Sequence, residues 1–306
     1  HSGTYVLTNS LVITNALSIV GVDGADETII DGNNSVACVI SRHPDTLIEG
    51  LTVQRGRGTY YTSSYGGGIC LESGGVVRAC TVKNNWASQT GGGVAIGVSY
   101  DYGLIDSCVI ISNQSAHYGG GVTLGNGELR NSVVAYNHAD YGGGLHSDGN
   151  TPQIRNSTIV SNLAASAGGG VYVRGGLFQN SIIYFNTALT CDNWFDYRGG
   201  VGLMSNTCTF PMPPGGGNMP DPPRFADPGI GDFRLRADSL CIDAGAHETW
   251  METATDLDGN SRIVGLSPDM GAFEYQSTNL YVSMLAAPRR GTAPMQVAFS
   301  ATPHDA

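Results

Sequence analysis

Asn156-Ser-Thr-Ile-Val-Ser-Asn162 is followed six residues later by Gly168-Gly-Gly-Val171. The pair of motifs is one copy of a repeat. The glycine triplet starts at Gly66, Gly91, Gly119, Gly142 and Gly168, with spacings of 25, 28, 23 and 26. The Asn-ending motif recurs as Ala79-Cys-Thr-Val-Lys-Asn-Asn85, Ser107-Cys-Val-Ile-Ile-Ser-Asn113, Asn131-Ser-Val-Val-Ala-Tyr-Asn137 and Asn180-Ser-Ile-Ile-Tyr-Phe-Asn186. Each unit holds two or three short β-branched runs broken by Gly and Asn. No run carries the longer 3.6-residue period of a helix; period two fits instead.

A unit this short cannot bury its own apolar face. Stacking like units solves the problem, each strand pairing in register with its counterpart one coil on. The glycines supply tight corners with positive φ, and Gly120 and Gly143 are placed at such corners. The Asn columns suit left-handed corners and amide-to-amide bonding between coils. Ahead of Gly66, Thr28-Ile-Ile-Asp-Gly32 and Leu47-Ile-Glu-Gly-Leu-Thr-Val53 read as degenerate coils. The expected fold is therefore all-β: a right-handed parallel β-helix over residues 1–210, a loop-rich C-terminal β extension packing on it over 211–278, and an incomplete strand segment over 279–306. About eight coils at a strand spacing of about 4.8 Å make a rod about 40 Å long.

Composition narrows the function. The 306 residues carry a net charge of −11, and Lys83 is the one lysine. A nucleic-acid partner is disfavoured, because phosphate binding rests on Lys and Arg. No stretch approaches the roughly 18 apolar residues of a membrane span. The seven cysteines show no metal-ligand spacing. Cys191 and Cys208 flank a loop outside the repeats and could pair; Cys80 and Cys108, at equivalent repeat positions, read as stacked thiols. An odd count leaves at least one cysteine unpaired within the chain. The stretch opens at His1-Ser-Gly-Thr-Tyr without a targeting segment.

The Gly-Thr-Tyr opening, Thr28-Ile-Ile-Asp-Gly32, the run ending at Val53 and the repeats resemble the pectin-lyase-like superfamily, and more narrowly bacterial surface and secreted β-helix proteins with polymorphic-outer-membrane-protein-type repeats. That resemblance covers roughly residues 1–210. Phe233-Arg-Leu-Arg236, Cys241-Ile-Asp-Ala-Gly245, Asp256-Leu-Asp-Gly-Asn-Ser-Arg262 and Pro268-Asp-Met-Gly-Ala-Phe-Glu-Tyr275 resemble the choice-of-anchor segment that follows such helices in anchored bacterial proteins. Pro288 and Gly291-Thr-Ala-Pro-Met-Gln-Val-Ala-Phe299 resemble the first strands of a PKD module. The resemblance implies an extracellular or bacterial cell-surface location. It also implies either a non-catalytic structural or adhesive role, with self-assembly into filaments, or a carbohydrate-active enzyme, a polysaccharide lyase or glycoside hydrolase. β-Helix lyases of this kind bring a Lys or Arg base and an acidic Ca²⁺ cluster, and the repeats here lack a dense acidic cluster.

Four sets of residues carry the chemistry. His146 and Asp148 share a strand face, with Tyr172 and Arg174 at the matching positions one coil later. A base beside a carboxylate-binding Arg is what elimination from a uronic acid requires; the alternative is an ordinary polar face. Tyr65, Tyr118 and Tyr141 precede three glycine triplets and could stack on sugar rings or pack over the glycine backbone. Trp86 and the Tyr60/Tyr61 loop are further sugar contacts. Asp256, Asp258 and Asn260 alternate like the oxygen ligands of a Ca²⁺ loop, or form an Asx-rich turn; no other cofactor is implied.

The last set is apolar. With Val82, Ile110, Val134, Ile159 and Ile183 turned inward, Val109, Ile111, Val133, Val160 and Ile182 face out. Monomers rarely expose so large an apolar patch. Either residues 187–275 fold back over it, or it is an interface to copies of this chain or to other cell-surface proteins. Val297 and Phe299, in Met295–Ala301, are placed in a strand that could be donated to the open edge of another copy.

Overall fold

The computed structural model describes residues 1–59, 65–96, 102–149, 152–199 and 202–276. Its strands repeat in a fixed order, so four parallel sheets of nine, eight, eight and six strands run the length of a β-solenoid of about eight turns. In the coil that starts after Gly66, Ile69–Leu71 lies in the first sheet, Gly75–Arg78 in the second, Thr81–Lys83 in the third and Trp86–Ala87 in the fourth. Registers hold without slippage through the first three sheets, as in Val82↔Ile110 and Val94↔Val122, while the fourth slips by a residue near Tyr141 and Ala167. The degenerate coils are there too, as strands Thr28–Asp31, Leu47–Glu49 and Thr52–Gln54.

The interior is a single apolar column. Val82, Ile110, Val134, Ile159 and Ile183 enter it from the third sheet, and Ile69, Val94, Val122, Leu145 and Val171 from the first. Beside them runs the Asn ladder. Asn85 Nδ2 donates to Asn113 Oδ1 at 2.9 Å, Asn113 to Asn137 at 3.0 Å, Asn137 to Asn162 at 3.0 Å and Asn162 to Asn186 at 2.9 Å. Each Oδ1 also accepts the backbone N–H of the Asn one coil earlier, and each Nδ2 reaches back to a carbonyl such as Ile110 O, 2.9 Å from Asn137. The amides thereby satisfy corner groups that would otherwise be buried without partners.

Left-handed corners occur in two non-glycine columns. One holds Ala79, Ser107, Asn131, Asn156, Asn180 and Asn206; the other holds Asn84, Ser112, Tyr136, Ser161 and Phe185, just before the ladder amides. Among the triplet glycines, the first carries the positive φ, 58° at Gly119 and 62° at Gly142. This corrects the placement of Gly120 and Gly143. Their glycine requirement comes from close approach: a Cβ on Gly120 would strike the His138 carbonyl, and one on Gly143 the Leu163 carbonyl.

The outward apolar face is covered by the chain itself. Val133, Ala135, Val160 and Ile182 pack with Phe225, Phe233, Leu235, Cys241, Met270 and Ala272. The interface to a second molecule expected at Val133, Val160 and Ile182 is thus taken by residues 225–272. Val109 and Ile111 sit at the rim of the cover, in a groove of about 240 Å³ shared with Ile230, Phe233 and Phe273. The covering segment contributes the antiparallel pair Phe225–Asp227 and Asp232–Leu235. It is tied internally by Arg262, fully buried, whose guanidinium lies 2.7 Å from Glu274. Residues 1–275 form one compact unit. Val297, Phe299, Tyr60 and Tyr61 lie outside the described residues. Among the described residues, no helix is long and apolar enough to cross a membrane.

The cysteines fall into distinct settings. Cys80 and Cys108 stack on neighbouring coils, both buried. Cys191 is exposed, while Cys208 is buried beneath the covering segment.

Two substitutions test this architecture. Asn137→Ala removes the acceptor of the buried Asn113 N–H and breaks the amide chain between Asn113 and Asn162, so it should cost about 3 kcal/mol; a loss below about 0.5 kcal/mol in urea unfolding would show the ladder to be dispensable. Gly143→Val should cost about 3 kcal/mol through the clash with Leu163 O. Gly216→Ala, where a Cβ meets nothing within 4 Å, should be near neutral in the same assay. Equal melting of the two glycine variants contradicts the close-approach assignment.

Candidate functional site

The first sheet places His146, Tyr172 and Phe195 in one column, since Leu145–Ser147 pairs with Val171–Val173 and that strand with Trp194–Asp196 in register. A second column lies just before the glycine triplets, where isolated bridges join Tyr65 to Thr90, Thr90 to Tyr118 and Tyr118 to Tyr141. The left-handed first glycine of each triplet turns the chain sharply, so the second column packs over the first. The stacking and binding sets of tyrosines and the His/Tyr/Arg set therefore meet at one place.

Tyr118 stacks on Tyr141 with centroids 5.3 Å apart and planes 23° from parallel. It also covers the His146 imidazole at 4.8 Å and 27°. Tyr141 meets Tyr172 at 5.3 Å, and Tyr172 meets Phe195 at 5.4 Å and Tyr197 at 5.8 Å. Arg174 lies 5.3 Å over the Tyr197 ring and donates to Asp148 Oδ1 at 3.0 Å. Tyr65, at the head of the second column, is 41% exposed. Trp86 stands apart in the fourth sheet, under the Arg57 guanidinium at 4.4 Å. Phe195 and Tyr197 escaped the repeat pattern because their coil has no glycine triplet. The alternation Trp194-Phe-Asp-Tyr197 at the coil spacing is the signal that marks them.

The face expected to be polar and open is largely buried. His146 is 3% exposed, and neither ring nitrogen has a hydrogen-bond partner. Its Nε2 is 4.0 Å from Asp148 Oδ1. Burial drives the imidazole down to about 4; the Asp148 carboxylate opposes this, and the Arg174 guanidinium adds to it. Tyr172 is pushed up to about 12, mainly by burial and then by the neighbouring phenols of Tyr118 and Tyr197. At neutral pH, both His146 and Tyr172 are uncharged. The set as folded presents neutral aromatic surface rimmed by the Arg174–Asp148 ion pair. That surface can stack on the apolar face of a sugar ring, with the rim offering donors and acceptors to hydroxyls.

The Asp256 loop folds as an Asx turn. Asp256 Oδ1 accepts from the backbone N–H of Asp258 and Asn260, and its Oδ2 accepts from the N–H of Glu274. Asp258 is turned to Arg234, with contacts of 2.6 and 2.7 Å, and Asn260 Nδ2 donates back to Asp256 at 3.3 Å. Asp256 and Asp258 thus spend carboxylate oxygens on N–H donors and Arg234, and Asn260 is held through its Nδ2. Among the described residues, no group of three or more His, Cys, Asp or Glu side chains is placed to hold a metal ion.

No known family pattern matches the chain, and no curated protein matches it. Among solved structures, it is similar to the crystal structure of pectate lyase Pel9A. The identity is 13%, over 90% of this chain and 86% of that one, with a TM-score of 0.49.

His146 makes a pH prediction. Its folded value, about 4, lies below the roughly 6.5 of an unfolded chain. The unfolded state therefore binds more protons in this window. Stabilisation by the neutral ring is complete above about pH 6.5 and is lost as pH falls toward 4, amounting to roughly 3 kcal/mol. His146→Phe keeps a ring and removes the titration, so stability measured from pH 7 to 4 should fall less steeply than in the wild type. Identical slopes, or an imidazole NMR titration near 6.5, would contradict the burial assignment.

Proposed function

We propose that this chain is an extracellular, non-catalytic adhesive β-helix. It holds a polysaccharide along the part-exposed rings of Tyr118, Tyr141 and Tyr197, which pack around the buried Tyr172, with Arg174 and Asp148 at the rim. The observation that carries the reading is the continuous column of rings, each 5.3 to 5.8 Å from the next. The column stands on in-register strands, so its spacing is set by the backbone and little ordering is needed on binding. Tyr197 is the most open of the four, at 57% exposure, and offers a face directly to solvent. The net charge of −11 favours neutral glycans, or acidic ones recognised locally by Arg174. Association between copies would use surfaces other than Val133, Val160 and Ile182, which the chain's own cover occupies.

A second reading, a carbohydrate-active enzyme, draws on the placement of Asp148 between His146 Nε2 and the Arg174 guanidinium, at 4.0 and 3.0 Å. An acidic and neutral polysaccharide panel separates the two. Binding measured by calorimetry without unsaturated products or new reducing ends supports adhesion. Tyr197→Ala and Tyr141→Ala should each weaken binding about tenfold, the loss of one ring stack. Turnover that disappears in the His146→Ala/Tyr172→Ala/Arg174→Ala variant, with its β-rich circular dichroism intact, would replace adhesion with catalysis. Binding unchanged in both tyrosine variants would remove the aromatic column from the account.

A further inference from the structure

Cys208 and Cys241 meet where the solenoid and its cover join. Cys208 opens Cys208–Thr209, the last strand of the third sheet, in register after Ile182. Its side chain therefore faces the cover, and it is fully buried there. Cys241 comes from the covering segment and is 1% exposed in the same apolar cluster. Met219 touches both residues. It forms a parallel bridge with Cys208, accepts the Thr209 N–H at 2.9 Å, and its Sδ lies 4.0 Å from Cys241 Sγ. The Cys241 backbone is held from both sides, its N–H on Ser239 Oγ at 3.2 Å and its carbonyl accepting the Met270 N–H at 3.0 Å. Cys208 Sγ donates to the Asp221 carbonyl at 3.1 Å, and the neighbouring Cys241 thiol, together with burial, holds the Cys208 thiol above its ordinary range.

We infer that Cys208 and Cys241 are an oxidation site, joined in the mature protein by a disulfide that fastens the covering segment to the last coil. The bond would close 33 residues of chain between the last coil and its cover, and closing such a loop restricts the unfolded chain. Cys80 and Cys108 also lie side by side, but on coils already zipped together by Thr81↔Val109 and Val82↔Ile110. Each of those thiols is engaged by a backbone carbonyl, Arg78 O at 3.1 Å and Asp106 O at 3.3 Å, as Cys208 is by Asp221 O at 3.1 Å, so it is the setting in the fold, not the thiol contacts, that separates the two pairs. A bridge there would tie nothing that is loose.

The oxidant is a small or protein disulfide, supplied while the cover is still open. One cysteine thiolate attacks a sulfur of that disulfide, forming a mixed disulfide and releasing one thiol. The second thiolate attacks the mixed disulfide, forms the Sγ–Sγ bond and releases the other thiol. Two protein thiols are oxidised, the oxidant's disulfide is reduced to two thiols, and the protons pass to the departing thiolates.

The test refolds the full chain in a mixture of oxidised and reduced glutathione, with a parallel sample kept in reductant. Free thiols are alkylated, and intact mass and peptide linkage are read. The expected product lacks two hydrogens, retains five alkylated cysteines of the seven, and links the peptides that contain Cys208 and Cys241. Its melting midpoint should exceed that of the reduced sample by about 5 °C or more, and reductant should abolish the gain. Cys241→Ser should melt alike in both buffers. Seven alkylated cysteines after oxidation, or a linkage mapped to Cys80–Cys108 or to Cys191, overturns the inference. Linkage in the unsubstituted chain decides the matter even if Cys241→Ser fails to fold.

Discussion

Everything in this molecule depends on register. When strands of successive coils pair residue for residue, each side chain sits one strand spacing, about 4.8 Å, from its counterpart. Apolar positions become a continuous core, and a polar position becomes a ladder. The Asn column shows the consequence most plainly. An isolated buried amide would be a liability, but five amides in line supply one another's donors and acceptors and also bind the corner backbone, as at Asn113 and Asn137. The interior of a coil is thus satisfied only by the presence of its neighbours, which is why a single coil has no independent existence.

The same rule creates the solenoid's weakness. Repeating Val, Ile and Ala on both faces of the third sheet leaves an apolar strip on the outside. The chain resolves this with residues 225–272, whose aromatic side chains lie against Val133, Val160 and Ile182. That segment has little regular structure, and its order rests on polar knots. Asp269 receives the backbone N–H groups of Asp243 and Tyr275, and Arg262 sits buried between Glu274 and the Asp269 carbonyl. Burial raises both the Asp269 and Glu274 carboxyls, to about 6 and about 8, against the pull of Arg262. The cover is therefore held by a few buried polar groups and by packing, in contrast to the many equivalent hydrogen bonds of the helix.

The columns that the core does not need vary along the axis. Outward positions of the first sheet change from Cys70 and Ala95 to Thr123, His146, Tyr172 and Phe195 along the axis. The small residues leave room for the chain that precedes the triplets to pack down. The aromatic ones build a cluster of rings, with His146 and Tyr172 buried beneath Tyr118 and Tyr141. Because the scaffold is rigid and periodic, the spacing of that cluster is inherited from the backbone rather than set by loops.

How much of this was legible without coordinates follows from where each property resides. Periodicity is a one-dimensional quantity, so the spacing of Gly66, Gly91, Gly119, Gly142 and Gly168 and the Asn-ending motifs determined the parallel β-helix, the inward and outward alternation and the coil register. That His146, Asp148, Tyr172 and Arg174 share a face followed from the same register. Local turn geometry was legible only in part, because the first and second glycines of a triplet look alike in sequence while one needs a positive φ and the other only the absence of a Cβ. Three things depend on contacts between residues far apart in the chain, and only the tertiary structure decided them. The covering segment, more than 60 residues away in sequence from Val160, closes the apolar face. Tyr118 folds over His146 and turns an expected open polar site into a buried neutral ring. Cys208 finds Cys241 and not Cys191, because the burial of the last coil, not proximity along the chain, selects its neighbour.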